Sequence, residues 1–141
     1  MANIFYNNTK ELLFSGSLDF SNDTFKLALV DSTYTPNITT DIYYDDVCGE
    51  IENAGYTTGG ALMDNTSLSI VSDILVYDAD NLVWIITGTV TIRGGVLYKD
   101  TGDPSTSPLI CYYDFLDDNV VTDGTFTIRW SSNGAISLTS E

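Results

Sequence analysis

The chain has 141 residues, 20 of them acidic and 5 basic, for a formal net charge of −15; 43% is hydrophobic and 12% aromatic. That apolar content excludes a disordered acidic tail and suffices for one folded core. The few cations provide no surface to neutralise phosphates and the net charge opposes adsorption to anionic membranes, so neither nucleic acid nor a membrane is expected as a partner.

In chain order, Met1-Ala2-Asn3-Ile4-Phe5-Tyr6 lacks the basic segment and long apolar run of a secretory signal, which predicts folding in a cytoplasm. Residues 1–14 nevertheless hold Phe5, Tyr6, Leu12, Leu13 and Phe14. Two readings account for them. One is an arm that buries these side chains on a neighbouring subunit; the other is a first strand in which Leu12-Leu13-Phe14-Ser15-Gly16 runs into a turn.

Period-two alternation then dominates, and a helical period is almost absent. Phe25, Leu27 and Leu29 alternate with Lys26 and Ala28, which predicts a half-buried strand. Segment 34–60 breaks the pattern with Pro36 and a run of Asp41, Tyr43, Tyr44, Asp45, Asp46, Glu50 and Glu52. A long irregular loop is expected there, with a helical turn at 43–47 and a return to the sheet through Gly55, Gly59 and Gly60. Further strands are expected at 62–71, 74–77, 82–91, 95–99 and 109–115, with loops at 100–108 and from Asp117-Asp118-Asn119 onward. Phe126, Ile128 and Trp130 then alternate with polar residues, and Ser132-Asn133-Gly134 supplies a turn into 135–138, which predicts a closing hairpin. About seven or eight short strands with apolar faces to cover make an all-β, antiparallel β-sandwich, Ig-like or jelly-roll-like, with residues 1–141 as a single domain.

Catalytic chemistry finds little to work with. The chain has no histidine, which removes the commonest general base and the Ser-His-Asp and Cys-His arrangements. No phosphate-cradling glycine loop is present, and paired carboxylates are too numerous in an acidic chain for any pair to be informative. The expectation is a protein that is not an enzyme and needs no cofactor. Calcium is the ion such a surface would take, with Asp78, Asp80, Asp117 and Asp118 as its oxygen donors, but the sequence matches no complete calcium loop and solvated turn carboxylates are the better account of them. Cys48 and Cys111 match no zinc or redox spacing and are expected as buried free thiols, with a disulfide between them left open. Tyr34, Tyr43, Tyr44 and Tyr56 lie in or beside the long loop, where they could meet a protein or stack on sugar, or could cover the end of the sandwich. With Phe5 and Tyr6 they form the candidate interface.

Several segments, in order, resemble one known group of proteins: 25–37 (FKLALVDSTYTPN), 50–60 (EIENAGYTTGG), 95–102 (GVLYKDTG), 107–110 (SPLI) and 124–130 (GTFTIRW). Together they span most of the chain and resemble a family of small tailed-bacteriophage virion structural proteins. The resemblance implies a part of the particle, made in the host bacterial cytoplasm and located in the virion, with no catalytic residues to carry over. A capsid decoration or cement protein on the outside of the head suits the charge, because packaged DNA would repel an anionic protein inside. Its partners would be the major capsid protein or other virion proteins, and copies of itself in a homo-oligomer, for which the resemblance suggests a trimer. A tail, neck or fibre component and a glycan-binding β-sandwich module are the alternatives.

Overall fold

The computed structural model describes residues 1–53 and 55–140. It is mostly β, with antiparallel sheets of five, three and two strands in a sandwich-like arrangement. Ten strands are present among the described residues: β1 (Ala2–Phe5), β2 (Phe25–Val30), β3 (Ala61–Leu62), β4 (Ser67–Val71), β5 (Ile74–Asp78), β6 (Leu82–Ile85), β7 (Thr89–Lys99), β8 (Leu109–Thr122), β9 (Thr125–Ile128) and β10 (Ile136–Leu138). The five-stranded sheet has the order β1-β8-β7-β2-β3, the three-stranded sheet β10-β5-β4, and β6 pairs with β9 alone.

The alternation along β2 sorts its side chains into two cores. Phe25, Leu27 and Leu29 join Tyr77 of β5, Trp84 of β6 and Ile128 of β9 in the larger core, between the five-stranded sheet and the two smaller ones. Ala28 and Val30 point the other way, into a second core with Val96, Tyr98, Leu109 and Tyr112. The long loop after β2 covers that face with Tyr34, Ile38, Tyr44 and Val47.

The N-terminal expectation is corrected. Ala2–Phe5 does form an edge strand, paired with 111–114 of β8, but Leu12, Leu13 and Phe14 belong to a helix, α1 (Asn7–Ser15). Gly16, left-handed at φ 80, ends the helix, and its N–H and that of Ser17 both turn back to the Leu12 carbonyl. Nine residues are too few to show a clear helical period, and this helix is held by docking rather than by its own propensity. Thr9 carries much of that docking. Fully buried, its hydroxyl donates to the Leu109 and Ile110 carbonyls at 2.8 and 2.9 Å, where Tyr98 pairs with Leu109 and Leu97 with Cys111, leaving Ile110 as the extra residue of a β-bulge.

Other expectations change as well. The 62–71 strand is two strands with a turn between, and the 82–91 strand breaks at Thr87-Gly88 while the 95–99 strand is the second half of an uninterrupted β7. Asp117-Asp118-Asn119 opens no loop but lies inside β8, where Phe115, Leu116, Asp117 and Asp118 stand opposite Arg93 alone. The terminal hairpin does not form: β9 pairs with β6 and β10 with β5, because the Ser131–Gly134 turn carries the chain across to the other sheet. The expected turn at 43–47 is present as a single 3-10 turn, Tyr44–Asp46.

Removing the Thr9 hydroxyl tests the docking of α1. Thr9→Val keeps the shape but removes the hydroxyl donor to both carbonyls, leaving Ile110 the Tyr6 N–H, and it is expected to lower the unfolding free energy by ~1–3 kcal/mol, read from urea denaturation.

Candidate functional site

The tyrosines of the long loop do not form a display surface. Tyr6, Tyr34 and Tyr56 are buried, Tyr44 and Phe5 are partly buried, and only Tyr43, at 39% exposure, presents its ring to solvent. This corrects the interface expectation for Tyr6, Tyr34 and Tyr56. Their apolar rings fill the second core or the rim of the first, and each hydroxyl finds an internal partner.

Glu50 organises one half of this arrangement. Its carboxylate accepts from the Tyr44 hydroxyl, from the Tyr56 hydroxyl at 2.7 Å and from the Gly59 N–H at 2.7 Å. Tyr56 in turn accepts from the Leu29 N–H at 3.0 Å, and Tyr98 donates to the Gly59 carbonyl at 2.6 Å while stacking on Tyr44 at 4.4 Å between ring centroids. Gly60 (φ 82) can be no other residue without strain, since a Cβ there would run into the Leu27 carbonyl. In the other half, the Tyr6 and Tyr34 hydroxyls lie 2.7 Å apart and Tyr34 donates to Asp41 at 2.9 Å. The loop is therefore stitched to the sheet and works as part of the wall.

Burial is the largest cause of the raised phenol pKa values of Tyr6, Tyr34, Tyr44, Tyr56 and Tyr98, and it pushes Tyr77 up to about 12. Burial also pushes the Cys111 thiol up to about 12. Cys48, by contrast, is exposed, which corrects its expected burial; both thiols are free.

The calcium candidates do not converge. Asp78 closes β5, and Asp80, just beyond it, accepts from the Asn65 side chain at 2.6 Å. Asp117 and Asp118 lie exposed on the β8 irregularity. Among the described residues no three His, Cys, Asp or Glu side chains gather in a metal-binding group.

A different surface stands out. From Leu82 to Ile92 the even-numbered residues are buried, apart from Gly88 at the break between β6 and β7, and the odd-numbered ones are exposed. The outward set is Val83, Ile85, Thr89 and Thr91, flanked on β8 and β9 by Val120, Thr122 and Thr125. Each is exposed, β-branched and uncharged, with Ile85 at 71%. Asp123, exposed at the bend, accepts the Gly88 N–H at 2.7 Å, and Asp31 and Glu52 line a groove beside Thr89 and Thr91. Elsewhere the charge is intact: three of the five cations, Lys26, Arg93 and Lys99, are paired with Asp100, Asp114 and Asp23. Leu82 to Ile86 is apolar throughout, so the sequence marks a strand there without showing which set faces water.

A polar groove of roughly 480 Å³ lies beside Trp130, lined also by Asn3, Arg129, Ser131 and Asn133. The Trp130 indole N–H donates to the Asp80 carbonyl at 3.1 Å, which fixes the ring.

No family model, curated protein or solved structure matches the chain.

Two outcomes follow from the buried groups. A phenol whose folded pKa is raised above the ordinary value near 10 stabilises the fold below that pH, and this stability is lost as pH rises toward the folded pKa. The urea midpoint is expected to fall above about pH 10, with the phenolate absorbance of the buried rings appearing together with unfolding rather than before it. A thiol reagent at neutral pH is expected to titrate Cys48 alone in the native protein, and Cys111 only after denaturation.

Proposed function

We propose that this protein is a structural component of a bacteriophage particle, without catalytic activity, and that it decorates the outside of the head by docking on the capsid shell. The observation that carries the reading is the uncharged β-branched face of the β6–β9 and β7–β8 ribbon on a chain of net charge −15. A rigid, flat face of Val, Ile and Thr side chains suits a protein partner, and the surrounding carboxylates keep free copies soluble. The same carboxylates are repelled by packaged DNA, which favours the outer surface over the interior. The resemblance of segments such as 50–60 and 124–130 to small virion proteins supports the same assignment.

Many weak contacts become tight through copy number, so a decoration protein binds repeatedly over the shell as a homo-oligomer. Purified particles are expected to contain hundreds of copies each, on the order of the number of shell subunits. A copy number near a dozen would move the protein to the neck, tail or fibre, and its absence from particles would overturn the virion assignment. Ile85→Lys, which places a cation in the docking face where the isolated protein is solvent-exposed, is expected to fold normally and to be lost from particles, read by sedimentation with the capsid.

The Trp130 groove favours a second reading, glycan binding, in which a fixed indole and the Asn3, Arg129 and Asn133 side chains would meet a sugar. Saturable binding on a glycan array that disappears in Trp130→Ala would support it; an array without signal would dismiss it.

A further inference from the structure

The three-stranded sheet ends on β10 at one edge and β4 at the other, and half of one of its faces is without cover. Its register aligns two rows of side chains on that face, Ile136–Tyr77–Leu68 and Leu138–Leu75–Ile70. Leu13 of α1 and the rings of Phe5 and Phe20 close over the first row, leaving an apolar cleft of about 60 Å³. The second row runs out from under this cover: Ile70 is 68% exposed and Leu138 is exposed as well. Phe14, the residue after Leu13, is 96% exposed.

The edge itself is β4, exposed along its whole length. Exposed edges are normally blunted by a charge, a proline or a bulge, since a bare edge invites another strand. The run from Asn65 to Ser72 has no charged residue and no proline, although the chain has 20 acids, and β4 pairs with β5 without a register shift. The hairpin turns on Ser72 and Asp73, both at positive φ, so Val71 and Ile74 form its closing hydrogen-bonded pair. By alternation the N–H and C=O groups of Leu68 and Ile70 then face the open edge.

We propose that β4 pairs antiparallel with β4 of a second copy of this chain about a two-fold axis, merging two three-stranded sheets into one. A register centred on Ser69 sets Leu68 against Ile70 of the second copy and Asp73 against Asn65, so no carboxylate faces a carboxylate along the strands. The two-fold axis keeps both α1 helices on the same side of the merged sheet, where Phe14 of each copy lies over the uncovered apolar row. The exposed parts of Leu13, Phe14, Leu68, Ile70 and Leu138 amount to on the order of 500 Å² per copy, more than half of the ~800 Å² per partner of a stable interface before any polar atom is added. Charge selects the same approach: two copies of net charge −15 repel over most of their surfaces and meet no acid on this strand. Such a pairing closes at two copies, so this contact makes a dimer and not the trimer that the resemblance implies.

The full chain, followed by sedimentation equilibrium from about 1 to 100 μM, is expected to reach twice its 15.4 kDa mass. Amide exchange at Leu68 and Ile70 is expected to slow as the dimer forms. Ile70→Lys is expected to remain folded and monomeric, even though it lowers the net negative charge and would by repulsion alone associate more readily. Phe14→Ser is expected to weaken the dimer at least about tenfold, while Ile85→Lys on the other apolar face leaves it unchanged. A wild-type chain that stays monomeric, that forms trimers, or whose Ile70→Lys variant dimerises as before would overturn the proposal. None of these outcomes depends on attachment to a particle, so this contact and the docking face fail or stand separately.

Discussion

Two long strands, β7 and β8, carry the chain from the two-stranded ribbon of β6 and β9 into the five-stranded sheet, and the bend they share positions everything else. At one end Thr89 pairs with Thr122 beside that ribbon; at the other Leu97 pairs with Cys111 in the middle of the large sheet. Between these points the register jumps, with four residues of β8 opposite Arg93 and Leu116 at positive φ. Asp114 holds the excursion in place by accepting from the Leu116 N–H at 2.8 Å and from Arg93 at 3.1 Å, and these two donors keep its carboxyl below the usual range. Gly94 completes the bend, since a side chain there would collide with the ring of Tyr112. A straight pair could not serve both layers, so the bulge lets one ribbon close the larger core from two sides.

The second core depends on polar atoms as much as on apolar ones. A sheet face covered by a loop rather than by another sheet leaves loop N–H and C=O groups near the core, and each needs a partner. Tyrosine solves both problems, because the ring fills space while the hydroxyl reaches the backbone or a carboxylate. Tyr56 and Tyr98 do this around Glu50 and Gly59, and Tyr34 does it with Asp41. The aromatic and acidic residues that make segment 34–60 look like a binding loop are thus the means by which it is held down.

Charge and exposed apolar surface divide the exterior between them. Most of the carboxylates lie on turns and loops, several of them capping backbone N–H groups, as Asp19 does for Ser21 and Asp103 for Ser105. The uncharged surfaces lie on regular strands, one on the β6–β9 side and one on β4. Carboxylates oppose unspecific contact almost everywhere else, so contacts are confined to strands whose geometry is fixed by the sheets.

Much of this was legible in the sequence. Alternation marks β2 and separates Phe25, Leu27 and Leu29 from Lys26 and Ala28, because period two is a local property of any extended chain, but the expected half-burial is corrected, since the long loop buries the second face as well. The glycines at 55, 59 and 60 mark the return of the loop for the same local reason, and all three adopt positive φ. The missing histidine and the excess of acids follow from composition alone. Only the tertiary structure decided that Leu12 to Phe14 are helical, since nine residues show too little periodicity and the deciding bonds from Thr9 reach about a hundred positions along the chain. It likewise decided that β9 and β10 take different partners, that Tyr34 and Tyr56 are buried, and that Ile70 and Ile85 are not. Alternation says that two faces differ; which of them meets water depends on the sheet that packs against the other, and that is settled by contacts far apart in sequence.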